Sequence, residues 1–146
     1  MEISIKLFEQ LSNTELYQIL RLRSEVFVVE QDCVYQDLDN NDQKALHVLG
    51  VKEGNIIAYT RVFKPGDYFS NISIGRVVVQ KEERKFGYGK IIMESSIMEM
   101  TNRFQAVPIE ISAQTYLLQF YNNLGFVTFG EEYMEDGIPH IRMVRE

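Results

Sequence analysis

The chain has 146 residues, the length of one ordinary domain, and can bury a core without a disulfide or a metal. Its composition, 45% hydrophobic and 25% charged, excludes a disordered protein, and its net charge of −6 argues against a nucleic-acid partner. It has no bilayer-length apolar run and no secretory signal, and its one cysteine fits a reducing compartment. We expect one domain over residues 1–146, soluble and cytoplasmic, with no membrane partner.

The first third of the chain predicts a strand, a helix and an acidic loop. Residues 2–8 alternate loosely, as a half-buried strand does. Ser12 and Glu15 have the spacing of a capping box, and the apolar positions after them predict a helix from about Asn13 into the mid-twenties. Residues 25–43 contain six acidic residues and no Lys or Arg, which predicts a loop with at most a short helix.

Three more strands and a second helix are predicted in the middle of the chain. Residues 46–53 and 56–63 flank a Gly-Asn turn and predict an antiparallel hairpin. Residues 72–80 predict a further strand, and the run Val77–Val79 indicates burial on both of its faces. After a glycine-containing turn, an apolar stripe from Met93 to Phe104 predicts a long helix.

The last part of the chain predicts a strand, a helix and a closing hairpin. Residues 108–113 predict a strand, and the apolar stripe over 117–124, followed by a glycine, predicts a third helix. Residues 126–133 and 138–144 predict the hairpin, whose strands offer an edge for a homodimer. The predicted fold class is mixed α/β, with about six to seven strands and helices on both faces.

The segment 81–90 has the features of an anion site. It opens a helix, where the first N–H groups have no intrahelical partners and the dipole is positive. It carries four basic and two acidic side chains within a chain of net charge −6. The two glycines and three of the bases that predict a pyrophosphate cradle are Gly87, Gly89, Arg84, Lys85 and Lys90. The spacing fits neither the nucleoside-triphosphate loop nor the dinucleotide fingerprint.

The stretch from Arg84 to Gly89 matches Arg/Gln-x-x-Gly-x-Gly/Ala, the signature of the GCN5-related N-acetyltransferases (GNAT), which the chain resembles. The stretch from Phe120 to Phe126 is similar to a second landmark of that family, Phe/Leu-Tyr-x-x-x-Gly-Phe. Residues 26–31, 35–37 and 136–140 resemble its ElaA-like branch. The resemblance covers nearly the whole chain, in order.

The resemblance implies that acetyl-CoA is the co-substrate, without a metal, and that an amine attacks its thioester directly. In the family the loop binds the pyrophosphate, and the preceding strand pairs with the pantetheine arm. Gln114, where many relatives have Asn, agrees with the ElaA-like branch. The implied coenzyme-binding residues are Val77, Val78, Val79, Arg84, Lys85, Phe86, Gly87, Tyr88, Gly89, Lys90 and Gln114.

The sequence specifies the catalytic groups less completely than the coenzyme-binding residues. Tyr121 matches the tyrosine that protonates the departing thiolate in the family, although its apolar stripe is equally typical of a core residue. Many relatives place a glutamate before the loop, where this chain has Arg76, which would bind a substrate carboxylate or support the acidic loop. The candidates for the general base are Glu30, Glu110, His47 and His140, and those for acceptor binding are Glu30, Arg76 and His140.

Of the two histidines, His47 lies in an apolar strand and is more typical of a core residue, so His140 is the better base candidate. The family builds its acceptor pocket where this chain is acidic, which favours a cationic small molecule or exposed amino group. For Asp37, Asp39 and Asp42 themselves we expect a solvated loop.

Two other functions compete with the transferase. A coenzyme A or acyl-CoA binding module without activity would explain the missing glutamate. Acyl transfer from a carrier protein, as in homoserine-lactone synthases, would require a basic docking face, and the chain outside the loop is acidic.

Overall fold

One seven-stranded sheet organises the protein, described by a computed structural model over residues 1–146. The strands are β1 (Glu2–Leu7), β2 (Leu46–Lys52), β3 (Asn55–Phe63), β4 (Ile72–Val79), β5 (Ile109–Gln114), β6 (Val127–Glu135) and β7 (Ile138–Arg145). The helices are α1 (Asn13–Arg23), α2 (Tyr88–Arg103) and α3 (Leu118–Asn122). The strand order is β1-β2-β3-β4-β5-β7-β6, and only β4 and β5 are parallel neighbours. The predicted mixed α/β class is confirmed.

The two faces of the sheet are covered by different helices, as predicted. Neighbouring side chains of a strand point to opposite faces, so Ala58 of β3 packs on the α2 side and Tyr59 on the α1 side. The α2-side cluster includes Ile92, Met93 and Met100. The members of the α1-side cluster are Ile19, Leu22, Val26, Leu49, Ile56, Tyr59 and Val78.

Helix α1 begins at its predicted capping box but the helical backbone continues further than expected. The Ser12 hydroxyl accepts the Glu15 N–H at 3.0 Å, and the Glu15 carboxylate accepts the Ser12 N–H at 2.8 Å. Residues Ser24–Glu30 then form a π-helix, in a stretch where a loop with at most a short helix was expected from residue 25. Burial of Val26 against the sheet holds this wider turn in place, and π-helical turns are frequent at functional sites.

Two other expectations need correction. Only Val78 of the Val77–Val79 run is buried, because the flanking valines, which pack against the α2-side cluster, are partly exposed to a cleft. The third helix is reduced to a 3-10 turn at Thr115–Leu117 followed by the five residues of α3. It ends at Gly125, whose φ of +94° is accessible to glycine. None of the helices combines the length and apolar character needed to cross a membrane.

Candidate active site

A deep cleft opens where β4 and β5 separate. The two strands pair only at Ile72–Ile109 and Ser73–Glu110, after which β4 stays with β3 and β5 stays with β7. The resulting cavity has a volume of about 970 Å³. Because neither strand has a ladder partner on this side, the main-chain groups of β4 beyond Ser73 are available to a ligand.

A bulge in β4 shapes the wall of the cleft. Tyr59 of β3 pairs with Val78 and Arg61 pairs with Gly75, so β4 has one extra residue between the two pairs. Arg76 lies in this bulge with a φ of +50°, a conformation that costs free energy in a residue other than glycine. Its Nε donates to Asp37 at 2.7 Å. Arg76 thus supports the acidic loop, one of the two roles considered for it, and the residue also lines the cleft.

Three aspartates of that acidic loop are paired with buried arginines. Arg23, fully buried in α1, donates to Asp37 at 2.8 Å and to Asp42 at 2.7 Å. Arg61, also buried, donates to both Asp39 and Asp42. The expectation of a solvated loop is therefore wrong for all three aspartates, since each is the partner of an arginine that the fold buries. Burial opposes the charge on Asp39 and Asp42, but hydrogen bonds from the arginines outweigh it and lower the pKa of both carboxyls.

The start of α2 borders the cleft on the side of the signature loop. Lys81–Phe86 form a 3-10 helix, and Gly87, with a φ of +72°, turns the chain into α2 at Tyr88. A Cβ on Gly87 would contact nothing within 4 Å, so glycine is required there for its backbone conformation. Gly87, Gly89 and Lys90 line the cleft, which places the unpaired amides of the first turn of α2 at its border.

The side chains of the signature loop are arranged differently from the sequence expectation. Arg84 pairs through both terminal nitrogens with Glu30, at 2.5 and 2.8 Å, and its Nε donates to the Val79 carbonyl at 3.0 Å. The hydrogen bonds of this pair lower the pKa of Glu30 and raise that of Arg84. Arg84 therefore joins the π-helix to β4 at the edge of the cleft, and Glu30 is held as a carboxylate.

Three of the predicted loop side chains lie outside the cleft. Lys85, Phe86 and Tyr88 do not line it, and the two aromatic rings instead lie within 4.4 and 5.5 Å of the Lys52 ammonium. Gln114 does line the cleft, where its amide exchanges hydrogen bonds of 3.2 and 3.3 Å with Gln31 at the end of the π-helix.

Tyr121 is buried and lines the same cleft. Its ring packs edge-on against Phe120 and Phe126, but its hydroxyl makes no hydrogen bond to another protein group. Burial raises the pKa of the phenol, so the hydroxyl keeps its proton at neutral pH. The Tyr121 ring is thus part of the core, and its hydroxyl can donate a hydrogen bond or a proton to a ligand.

The four base candidates have very different surroundings. His47 is fully buried and uses both ring nitrogens, on the Tyr59 hydroxyl at 2.6 Å and the Asp42 carbonyl at 2.9 Å; burial lowers its pKa. Glu110 is paired with Arg142 and does not line the cleft. Glu30 forms an ion pair with Arg84. His140 alone lines the cleft without an arginine partner, with its Nε2 3.2 Å from a Glu135 oxygen.

Sequence reasoning missed Glu135 and its neighbours. The Asp136-Gly137 turn could have shown which residues of β6 lie near His140, because a two-residue hairpin turn sets the register of both strands. Counting outward from the turn pairs Tyr133 with His140, as the structure has it. Gln31, within the stretch 26–31, carried no signal of its pairing with Gln114, because that contact depends on the π-helix.

Comparison with known protein families agrees with this geometry. Residues 9–146 match the family described as "Acetyltransferase (GNAT) domain". The chain belongs to this family.

Its relatives include the protein ElaA of Escherichia coli, 41% identical over 94% of this chain and 91% of ElaA. The crystal structure of E. coli ElaA superposes with a TM-score of 0.93 at 39% identity, covering 99% of both chains. An acyl-CoA N-acyltransferase from Pseudomonas aeruginosa superposes with a TM-score of 0.94 at 37% identity, covering 100% of both. The resemblance to the ElaA-like branch is confirmed, and this GNAT protein is an acyltransferase.

A more distant structure shares only the fold. The GNAT acetyltransferase from Elizabethkingia anophelis, solved with acetyl-CoA bound, is 17% identical and superposes with a TM-score of 0.67 over 99% of this chain and 97% of its own. For this GNAT protein, family and fold support acyl-CoA-dependent acyl transfer.

Proposed function

We propose that the protein transfers the acetyl group of acetyl-CoA to a primary amine, by direct attack of the amine on the thioester. The observation that carries the proposal is the separation of β4 from β5. It opens a cleft that has strand main chain on one wall, the first turn of α2 at its border and the Tyr121 hydroxyl inside.

The cleft fits coenzyme A in three respects. The open edge of β4 over Val77–Val79 offers main-chain donors and acceptors that an amide-containing pantetheine arm can pair with. The amides of Gly87–Gly89 suit a pyrophosphate, because they lie at the positive end of a 16-residue helix. Lys90 borders the cleft and adds a cation.

Acetyl-CoA supplies an acyl group activated as a thioester. The N–H groups on the open edge of β4 are donors for the negative charge that develops on the carbonyl oxygen during attack. Tyr121 supplies the proton for the departing sulfur, since its hydroxyl has no protein partner and burial keeps it protonated.

The acceptor is a cationic amine. Glu135 and Asp136 line the cleft, and their carboxylates attract an ammonium group. The arginines that line the cleft do not offset this attraction, because Arg61 and Arg76 are paired with the aspartates of the buried network and Arg84 is paired with Glu30. We propose that the acceptor is a small molecule or an exposed amino group.

The test incubates the protein with acetyl-CoA and a panel of primary amines and measures free thiol, with mass spectrometry of each amine. We expect thiol release that depends on the amine, together with acceptors heavier by one acetyl group. Thermal stabilisation by coenzyme A without turnover of any amine would contradict the proposal and identify a binding module.

A further inference from the structure

One histidine in the cleft has its proton position fixed by its contacts. His140 Nδ1 lies 2.7 Å from the carbonyl oxygen of Ile138. A carbonyl oxygen can only accept, so Nδ1 carries the hydrogen. In the neutral imidazole the lone pair is therefore on Nε2. The side chain is 8% exposed and lines the cleft, so this lone pair lies in a largely dry site.

A carboxylate lies beside that nitrogen. Glu135 Oε2 is 3.2 Å from His140 Nε2, and the Glu135 side chain is 49% exposed at the rim of the cleft. The contact lacks hydrogen-bond geometry, so the neutral imidazole and the carboxylate present two acceptors side by side, which a donor with several N–H groups can bridge. An ammonium ion is such a donor.

A neighbouring aromatic ring also restrains the orientation of the imidazole. The Tyr133 ring stacks on it with centroids 6.0 Å apart, and the Tyr133 hydroxyl is hydrogen-bonded to Ser112, which lines the cleft from β5. His140 lies opposite Gln114 in the β5–β7 ladder. The imidazole is therefore oriented by a carbonyl of its own strand and by a ring of β6, as a proton acceptor in catalysis requires.

We propose that His140 is the general base of the transfer reaction and that Glu135 holds the acceptor's ammonium group beside it. This inference rests on the proposed function and adds the base that it lacks. The three other base candidates from the sequence are engaged elsewhere: His47 is buried in the core, Glu110 is paired with Arg142 and Glu30 is paired with Arg84.

The step balances without a further reactant. One N–H bond of the ammonium breaks, its proton forms a bond to His140 Nε2, and the electron pair stays on the amine nitrogen for attack. The positive charge moves to the imidazolium, which the Glu135 carboxylate and the Ile138 carbonyl both stabilise.

The test uses acceptors in matched pairs. The most active panel amine, R–CH₂–NH₂, is protonated at pH 7 and needs a base, whereas its alkoxyamine counterpart R–O–NH₂ has nearly the same shape and is unprotonated there. His140→Asn keeps a donor for the Ile138 carbonyl and removes Nε2. We expect it to lower kcat/KM for the amine by about 10²-fold, the usual contribution of a general base, and to leave the alkoxyamine nearly unchanged.

Glu135→Gln provides a second measurement at a half-exposed position where folding is not at risk. It is expected to raise KM for the amine several-fold and to change KM for the alkoxyamine little. Its matched control is Glu132→Gln, the same charge change at an exposed position of β6 outside the cleft, which leaves both acceptors unaffected.

The outcomes separate the two proposals. If wild-type protein turns over amines and His140→Asn slows the amine and the alkoxyamine equally, or slows neither, His140 is not the base. If His140→Asn does not fold, an unchanged amine KM in Glu135→Gln overturns the inference. If wild-type protein turns over no amine in the panel, the proposed function itself is wrong.

Discussion

At the scale of single residues, Tyr121 combines a core ring with an unengaged hydroxyl. Tyr121→Phe removes only the oxygen, so we expect kcat to fall by about 10²-fold, as for the loss of a general acid, while the Kd for coenzyme A stays the same. Steady-state thiol release and calorimetry check the two parts.

The control for this variant is Tyr17→Phe, at a tyrosine of α1 that is 73% exposed. It should leave both quantities unchanged. An equal kcat in Tyr121→Phe and wild-type protein would remove Tyr121 from the acid role.

Gly87 is needed for its backbone and not for space. Gly87→Ala puts a Cβ at a φ of +72°, which should lower the free energy of unfolding by about 1 kcal/mol and weaken coenzyme A binding by disturbing the first turn of α2. Urea denaturation and calorimetry measure the two effects.

Gly54 is a matched control, since it has a φ of +79°, equally open surroundings and a position in the β2–β3 turn away from the cleft. Gly54→Ala should lose similar stability and keep its coenzyme affinity. If both variants bind coenzyme A equally well, the first turn of α2 is not the pyrophosphate site.

At the scale of elements, the acidic loop is held to α1 and the sheet by buried arginines. Arg23→Met removes the cation shared by Asp37 and Asp42, and we expect it to lower the free energy of unfolding by about 3 kcal/mol because buried carboxylates lose a partner. Arg21→Met, at an exposed position of the same helix, should change stability by less than about 0.5 kcal/mol. If Arg23→Met lowers the free energy of unfolding only slightly, the network is not needed for stability.

The π-helix is joined to the signature loop by Glu30 and Arg84. Glu30→Gln removes a carboxylate near the expected phosphate site and frees the Arg84 guanidinium. We therefore expect coenzyme A to bind more tightly, by about fivefold, in calorimetry at low ionic strength. Glu25→Gln, at an unpaired position of the same helix, should not change the Kd, and weaker binding in Glu30→Gln would contradict this reasoning.

The elements also show how far the sequence could predict the fold. The strand positions and the first two helices followed from periodicity and capping, and the glycines and bases of the signature loop predicted a turn at the start of α2. The π-helix did not, because it is set by packing of Val26 against a sheet formed later in the chain. The buried aspartates were misjudged because Arg23, Arg61 and Arg76 are distant from them in sequence and meet them only in the folded protein.

At the scale of the whole molecule, several ionisations act on stability in the same direction. Burial lowers the pKa of His47, and hydrogen bonds to cations lower the pKa of Glu15, Glu30, Asp39 and Asp42. A group whose pKa is lower in the fold contributes stability above its unfolded pKa and loses it as pH falls. The loss therefore begins below about pH 6.5 through His47 and steepens below about pH 4 through the carboxyls.

Urea midpoints between pH 7.5 and 3.5 check this expectation. They should fall steadily on acidification, with the steepest change at the acid end. A midpoint that rises between pH 6 and pH 4 would contradict the assigned directions.

The brief contact between β4 and β5 has a mechanical consequence. Two residue pairs are the whole ladder between a block of four strands and a block of three. A ligand bound along the free edge of β4 would therefore restrain the motion of the two blocks relative to one another. The stiffness of the sheet would then depend on whether that ligand is bound.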